Sequence, residues 1–354
     1  MTRRNGDAET RGKITASPHH RVRLISVSEL RKEVFKMAKK EYAHLVKPLR
    51  VQKPPAGLYT EPCVWMEGKD LEGFNAHFSY GFIKEDGPIH PKEGSIVHPY
   101  DECLVFAGLD HTNILYLGAQ VSIELGEERE EQVFDKPCAV LIPKGMPHGP
   151  VTVKRLGFRP IVHYTIGLAP AYKATSVSPR SRGSKSKGSK HGHLIKPFSL
   201  GLRQAKMTAE TVARIGQAGQ AMRSSQQVGR LGPGNADQLI WLFGDHLEGM
   251  AVNFTWGYYS DAGLWHRGGE AHTHPEEEIL VYVGLDPDDI NYLGAELELG
   301  MGKDYERHIF NKPTVAICPQ GLPHLPLITR WVDKPYGFFV VCLGGEHDSP
   351  WVEA

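Results

Sequence analysis

The sequence predicts an all-β protein made of two similar barrels in tandem, and three observations support this fold class. First, the chain repeats itself at a spacing of 176 residues, so that residues 71–148 align with residues 247–324 without a gap. Second, each copy alternates short strand-like runs with Gly, Pro and Asp turns, which is typical of β-sandwiches and barrels. Third, 354 residues with 40% hydrophobic content provide enough chain for two medium-sized domains.

Identical segments recur throughout the repeat, which makes an internal duplication the simplest explanation. They pair Leu71-Glu72-Gly73 with Leu247-Glu248-Gly249, Gly108-Leu109-Asp110 with Gly284-Leu285-Asp286, and Lys136-Pro137 with Lys312-Pro313.

The chain begins with a polar segment without apolar periodicity, residues 1–20, which is predicted to be disordered. The N-terminal domain is predicted at residues 21–170. It opens with a helix from Glu29 to about Leu45, because apolar residues recur there at helical spacing after Ser28, a favourable N-cap. The rest of this domain is predicted to form the first barrel.

Residues 171–192 are a predicted linker, dominated by Ser, Gly, Lys and Arg. An exposed tether of this composition is usually only solvated, so no specific nucleic acid or lipid partner is expected. The C-terminal domain is predicted at residues 193–354. Its leading segment echoes that of the first domain at a spacing of 149 residues, so the second copy carries a 27-residue insertion, predicted as a helix at about residues 206–226.

Charge and cysteine content exclude several classes of protein. The 41 basic and 41 acidic residues balance, so no global field attracts nucleic acid or an anionic membrane. No apolar run reaches the roughly 20 residues that span a bilayer, and the N-terminus has no signal-peptide core, so a cytoplasmic protein is expected. The five cysteines are odd in number and lack a C-x-x-C pair, which argues against a disulfide framework.

The segment from His272 to Glu278 carries candidate metal ligands. Side chains alternate along a strand, so His272, His274 and Glu278 lie on one face. A Pro/Gly turn before His324 could return a fourth ligand from a neighbouring strand. Imidazole and carboxylate ligands suit Fe, Mn, Co, Ni, Cu or Zn.

Two copies that hold H-x-H-x3-E, a following Gly and then P-x-G-x2-H resemble the cupin superfamily, and the duplication resembles a bicupin. The resemblance covers about two thirds of the chain. It departs from the family pattern in two places: Gly284 comes one residue early, and Ile328 stands where Asn often follows the second motif. The resemblance implies two double-stranded β-helix (jelly-roll) barrels with a few peripheral helices.

The resemblance also implies that His272, His274, Glu278 and His324 bind one divalent transition metal, with Fe or Mn favoured over Zn, Ni, Co or Cu. Positions left open on the metal would receive water, dioxygen or substrate. The alternative is that these histidines are surface hydrogen-bonding groups and that Glu278 belongs to an acidic cluster. Burial of four such groups without a compensating cation would be costly, which favours the metal.

The first copy keeps His98, Glu102 and His148 but has Ile96 where the second has His272. Two histidines and a carboxylate are the ligand set of facial-triad iron oxygenases, so a three-ligand metal site is one interpretation. The other, which is favoured, is a decayed site that serves stability. His90 could replace the missing ligand, but His266 occupies the equivalent position of the intact copy, so a shared loop or supporting role is expected for both.

The substrate pocket of the C-terminal barrel is predicted to include Trp256, Tyr282 and His266, although the aromatic residues are also typical of barrel core. We expect a metal-dependent enzyme acting on a small organic molecule, foremost a dioxygenase-type oxidoreductase. The alternatives are a metal-dependent decarboxylase or isomerase, and a non-catalytic binding or storage bicupin, because one fold hosts many activities. Assembly into a homo-oligomer is left open.

Overall fold

The structure is a computed structural model that describes residues 40–59, 62–177, 190–200, 236–265 and 271–347. The segment predicted to be disordered, residues 1–20, and the helical insertion at residues 206–226 lie outside these ranges. So does most of the helix predicted at residues 29–45. Its described end is a 3-10 turn, Ala43–Leu45, which leads directly into a strand at Val46.

Nearly all regular structure in the described ranges is β-strand. The strands of the first half are β1 Val46–Pro48, β2 Val51–Gln52, β3 Cys63–Met66, β4 His77–Ile83, β5 Gly87–His90, β6 Ser95–Val97, β7 Glu102–Ala107, β8 Ala119–Leu125, β9 Glu130–Phe134, β10 Cys138–Ile142, β11 His148–Leu156, β12 Ile161–Gly167 and β13 Thr175–Val177. Those of the second half are β14 Ile195–Pro197, β15 Gln238–Leu242, β16 Asn253–Tyr259, β17 Gly263–Leu264, β18 Glu278–Gly284, β19 Ala295–Met301, β20 Glu306–Phe310, β21 Thr314–Cys318, β22 His324–Val332 and β23 Tyr336–Cys342. Two further 3-10 turns lie at Gly68–Asp70 and Gly192–Leu194.

Each half forms a barrel from one large and one small antiparallel sheet, which confirms the predicted all-β class. In the first barrel the large sheet runs β14-β10-β7-β12-β4-β3-β2, and the small one runs β13-β6-β11-β8-β9 with β5 also on β11. In the second barrel the orders are β1-β21-β18-β23-β16-β15 and β17-β22-β19-β20. None of the described helices is long and apolar enough to cross a membrane.

The central strands of the large sheets are buried on both faces. Every residue of β7, β12, β18 and β23 is buried. Such strands read as continuous apolar runs because one face lines the barrel interior and the other packs against a second layer. Here the second layer is the large sheet of the other barrel.

Aromatic side chains fill the interface between the two large sheets. Phe339 stacks on Tyr164 with ring centroids 4.6 Å apart and meets the edge of Phe78 at 5.6 Å. Two tyrosine hydroxyls cross the interface and donate to backbone carbonyls: Tyr80 to Gly284 at 2.6 Å and Tyr258 to Gly108 at 2.7 Å. The buried phenols are therefore satisfied, as buried polar groups need to be.

The leading strand of each half pairs with the opposite barrel. β1 lies antiparallel to β21 in the second barrel, and β14 lies antiparallel to β10 in the first. The linker predicted at residues 171–192 also contains a strand, since β13 pairs with β6. Domain boundaries at residues 170 and 193 therefore separate the bulk of the two barrels but do not follow these short strands.

The repeat shortens by one residue before its last strand. Val162 pairs with Ala107 in the first barrel, whereas Gly337 pairs with Val283, the residue equivalent to Ala107, in the second. The spacing therefore falls from 176 to 175 residues between β11 and β12. His163 is structurally equivalent to Phe338 as a result, and the two barrel interiors differ at this position.

Candidate metal centres

The C-terminal candidate site forms where β18 and β22 begin. Glu278 is the first residue of β18, and His324 is the first residue of β22. His272 exchanges two backbone hydrogen bonds with His324, each 3.1 Å long. The turn before His324 is tied to the ligand segment, because the Gly321 N–H donates to the His274 carbonyl at 2.9 Å.

Gly321 has the positive φ of 73° that favours glycine, and this explains its place in the turn. The glycine after the first motif, Gly284, has a different role: a Cβ there would lie 1.8 Å from the Tyr292 carbonyl oxygen. Gly284 therefore permits a close backbone approach and takes no part in the ligand set.

The four sequence-predicted ligands of the second barrel converge and are all buried. Ligand atoms of His272, His274 and His324 lie within 4.8 Å of one another. Nε2 of His274 is 3.3 Å from one Glu278 oxygen, and Nε2 of His324 is 3.5 Å from the other. Ligands about 2.1 Å from a shared metal lie about 3 to 3.5 Å apart, so a small closure of this cluster would hold a divalent ion.

The charges of this cluster suit a cation. Burial alone would raise the pKa of Glu278, but the neighbouring His274 and His324 lower it to about 2. Burial opposes the charged form of His324, yet contacts with Cys318 and Glu278 raise its pKa. A divalent metal would bind the ionised Glu278 carboxylate and would compete with protonation of His324.

The structure adds three potential ligands that the sequence did not indicate. His347 joins His274 and Glu278 within ligand distance, after the end of β23. Cys318 and Cys342 lie directly opposite Glu278 on the two neighbouring strands, and residues paired in this way share a face. The Cys318 thiol lies within 4.8 Å of ligand atoms of Glu278 and His324. Only the strand register, which a single sequence does not fix, brings these thiols to the carboxylate.

The N-terminal barrel contains a second buried cluster around Glu102. One oxygen of Glu102, Oε2, lies 3.3 Å from Nε2 of His98, 3.6 Å from Nε2 of His148 and 4.0 Å from Nε2 of His90. All four side chains are at most 1% exposed. The predicted residues His98, Glu102 and His148 are therefore together, and the structure adds His90, which the sequence analysis had assigned a supporting role.

Burial keeps two of the imidazoles beside Glu102, those of His90 and His148, largely uncharged. It lowers the pKa of His90 to about 3 and that of His148 to about 4. Burial would raise the pKa of Glu102, but contact with His98 lowers it to about 2. Burial also opposes the charged form of His98, but its contact with Glu102 raises its pKa, so the cluster holds an ionised carboxylate beside His98 and two largely neutral imidazoles.

The interiors of the two barrels differ beyond the ligands. In the first, Tyr59, Ser79 and Thr165 form a hydrogen-bonded row with distances of 3.0 and 2.9 Å, and His163 lies beside it. In the second, aromatic rings fill the space. Tyr259 stacks on Trp265 and Tyr336, and Phe338 packs against Trp265 and Tyr282. The first interior is polar, and the second is largely apolar.

The predicted pocket residues have different outcomes. Tyr282 faces the second barrel interior on the same side of β18 as Glu278 and packs against Phe338 at 5.1 Å. Trp256 does not: its ring lies 5.5 Å from Tyr164 of the other barrel, so it belongs to the interface. Both faces of β16 are buried, and the alternation therefore could not tell which one lines the pocket. His266 lies outside the described residues.

Comparison with solved structures identifies the fold. The chain is similar to oxalate decarboxylase from Bacillus subtilis, with a TM-score of 0.50 and 8% identity over 86% of this chain and 78% of that one. It is also similar to Lactobacillus farciminis oxalate decarboxylase in its formate complex, with a TM-score of 0.51 and 9% identity over 88% and 89% of the two chains. No protein-family model and no curated protein matches the sequence.

Proposed function

The chain has the bicupin fold, and on this premise we propose that it is a metal-dependent enzyme acting on a small organic acid, with decarboxylation as the reaction. The observation that carries the proposal is the convergence of His272, His274, Glu278 and His324 on one buried point. The two oxalate decarboxylases that share the fold favour decarboxylation as the reaction class. At 8% and 9% identity they carry the fold and leave the substrate open.

The residues fit a resident metal. Glu278 Oε2 and His324 Nε2 are buried without a hydrogen-bond partner. The Nδ1–H of His324 donates to the Leu322 carbonyl at 3.1 Å, which directs the Nε2 lone pair into the cluster. A bound divalent metal would polarise an oxygen of the substrate as a Lewis acid.

The surrounding side chains limit what can bind. Aromatic packing fills the barrel beyond the ligands, so a substrate of few atoms is favoured. The buried polar and charged residues of the described ranges include no Lys or Arg, so a substrate carboxylate would be held chiefly by the metal. Exclusion of water by this wall would strengthen the electrostatic interactions inside the site.

Proton supply to the product would come from groups that remain protonated at neutral pH. Burial raises the pKa of the Cys318 thiol, although His324 opposes this effect. Burial also raises the pKa of the Tyr282 phenol, whose hydroxyl makes no hydrogen bond. The Cys318 thiol lies within 4.8 Å of ligand atoms of Glu278 and His324, so it adjoins the proposed metal and is the proton donor that we favour.

The second candidate is the dioxygenase-type oxidation expected from the sequence. A His and Glu ligand set also suits non-haem iron, and an open metal position can bind dioxygen instead of a carboxylate. The comparisons favour decarboxylation over this reaction, and the two differ in a measurable way, since only the oxidation consumes dioxygen in proportion to product.

The test is a screen of small mono- and dicarboxylic acids with protein loaded with Mn²⁺ or Fe²⁺, measuring CO₂ release and O₂ uptake together. We expect CO₂ release that His274→Ala and His324→Ala abolish. His308→Gln is the matched control, because His308 is buried and paired with Glu306 at 2.8 Å, outside the ligand cluster.

Consumption of dioxygen in an amount equal to the product formed would show that the reaction is an oxidation, and decarboxylation as the proposed reaction would be wrong. Ligand binding at unchanged affinity in metal-free protein, without turnover, would favour a binding protein and overturn the proposal.

A further inference from the structure

The N-terminal barrel contains a ligand arrangement that the repeat alone does not supply. We propose that this barrel holds a second divalent metal, bound by His90, His98, Glu102 and His148, with His90 taking the place that Ile96 leaves without a ligand. The proposal goes beyond the proposed function, because it assigns a site in the other barrel and does not depend on any reaction.

The first step of the argument is where His90 lies. β5 and β6 both pair with β11: His90 is opposite Val151, and Ile96 is opposite His148. In the second barrel His272 has the register of Ile96, since it is bridged to His324. His90 therefore reaches the cluster from a neighbouring position along the same strand, and its Nε2 lies 4.0 Å from Glu102.

The second step is that Ile96 is accommodated as an apolar residue. It packs with Leu58, Cys63 and Trp65 in a small hydrophobic cluster of its own. The position of the missing ligand has therefore become part of the barrel wall.

The third step is the orientation of the imidazoles. Nδ1 of His98 lies 2.8 Å from the Lys173 carbonyl, and Nδ1 of His148 lies 3.3 Å from the Met146 carbonyl. A carbonyl only accepts, so each Nδ1 carries the proton and each Nε2 presents its lone pair. A hydrogen bond on the far nitrogen is the usual way in which proteins orient a metal-binding histidine.

The fourth step is that the ligand atoms of this cluster have no hydrogen-bond partner in the described structure. Nε2 of His90, His98 and His148 and Oε2 of Glu102 are buried without a hydrogen-bond partner. Burial of a carboxylate and three imidazoles whose ligand atoms have no hydrogen-bond partner is costly unless another group compensates it. Ligand atoms of His90, Glu102 and His148 lie within 4.8 Å of one another, and His98 Nε2 lies 3.3 Å from Glu102 Oε2, so this set of unpartnered atoms favours a metal over a structural polar cluster.

The ligand set also indicates which metals bind. The residues opposite Glu102 on the neighbouring strands are Ile142 and Gly167, whereas those opposite Glu278 are both cysteines. The four proposed ligands of the first site are therefore nitrogen and oxygen donors, and no cysteine is paired with Glu102 on either neighbouring strand. Such a set suits divalent first-row metals such as Mn²⁺ or Fe²⁺ and gives no preference for thiophilic ions.

The experiment is metal stoichiometry, which needs no activity. The full chain is stripped with a chelator, loaded with Mn²⁺, desalted and analysed for manganese per chain. We expect two equivalents for the wild type and one for His90→Ala, because loss of a direct ligand weakens binding at least as much as the roughly 10- to 100-fold cost of losing a supporting group. The equivalent that remains in the second barrel shows that the variant is folded.

Two further variants sharpen the result. His163→Phe is the matched control, since His163 is a buried histidine whose ring lies 5.9 Å from that of His90, and it should keep both equivalents. The double change His90→Ala with Ile96→His copies the arrangement of the second barrel and should restore the lost equivalent.

The same assay in the His274→Ala, His324→Ala background separates this inference from the proposed function. One equivalent should remain there, and adding His90→Ala should remove it. Two equivalents in the single variant His90→Ala would overturn the assignment of His90. A single wild-type equivalent that disappears with His274→Ala and His324→Ala would overturn the second site altogether.

Discussion

Replacement of Phe339 by Ala tests whether the two barrels stabilise each other through their aromatic interface. Phe339 is fully buried between Tyr164, 4.6 Å away, and Phe78, 5.6 Å away. Both neighbours belong to the first barrel, whereas Phe339 belongs to the second. Truncation therefore removes contacts between barrels and leaves the ligand residues unchanged.

The expected loss of stability follows from the size and burial of the ring. A buried Phe replaced by Ala costs about 3 to 5 kcal/mol, from lost transfer free energy and the cavity that remains. Tyr164→Phe is the matched control, because it keeps the stacked ring and removes only a long hydrogen bond, 3.3 Å from the hydroxyl to the Thr255 carbonyl. Its cost should be about 1 kcal/mol or less.

The assay is equilibrium unfolding in urea, followed by fluorescence and circular dichroism, with metal content measured in parallel. Phe339→Ala should lower the free energy of unfolding by several times the amount seen for Tyr164→Phe and leave the metal content unchanged. A loss below about 1 kcal/mol for Phe339→Ala would refute the reasoning, since the interface could not then be a well-packed core.

Two other predictions concern titration and thiol chemistry. Burial lowers the pKa of His163 to about 4, below the value of about 6.5 in an unfolded chain. Between these pH values the unfolded state therefore binds more protons than the folded state. The free energy of unfolding falls as the pH falls from about 6.5 to about 4. Metal-free wild-type protein should lose unfolding free energy between pH 7 and pH 5, and His163→Phe, which places the residue of the equivalent position Phe338 there, should make that loss smaller by about 2 kcal/mol. An equal loss in both proteins would contradict the assignment of this pH dependence to His163. All five cysteines are buried and free, so a thiol reagent should label none in the native protein and five in urea, and rapid native labelling would show that a barrel opens.

The sequence predicted the features that depend on local periodicity. The repeat and the spacing of the motif predicted that His272, His274, Glu278 and His324 come together, and the structure brings them together. The single strand assumed for His272 to Glu278 is not observed, because His272 forms an isolated bridge with His324, residues 275–276 bend, and β18 begins only at Glu278.

Features that depend on which strands become neighbours were beyond the sequence. His90 is six residues before Ile96, and its position beside Glu102 depends on the pairing of β5 with β11. The missing ligand makes His90 a candidate, but the equivalent His266 of the second copy favours a supporting role, and only the strand pairing shows that His90 lies beside Glu102. The aromatic residues of its strand predict Trp256 as a pocket wall, but both faces of β16 are buried, and only its packing against the first barrel shows which face Trp256 is on.

The pairing of β1 with β21 and of β14 with β10 has a consequence for biosynthesis. β1, the first of the described strands, finds its partner only after residues 314–318 have been made. The first barrel, in turn, cannot cover the outer edge of β10 until residues 195–197 have emerged. Exposed edges of this kind are prone to pair with other chains. β10 therefore has an unpaired edge until β14 has been made, and β1 has no partner until β21 follows, so the large sheet of each barrel is completed only by a strand from the other half of the chain.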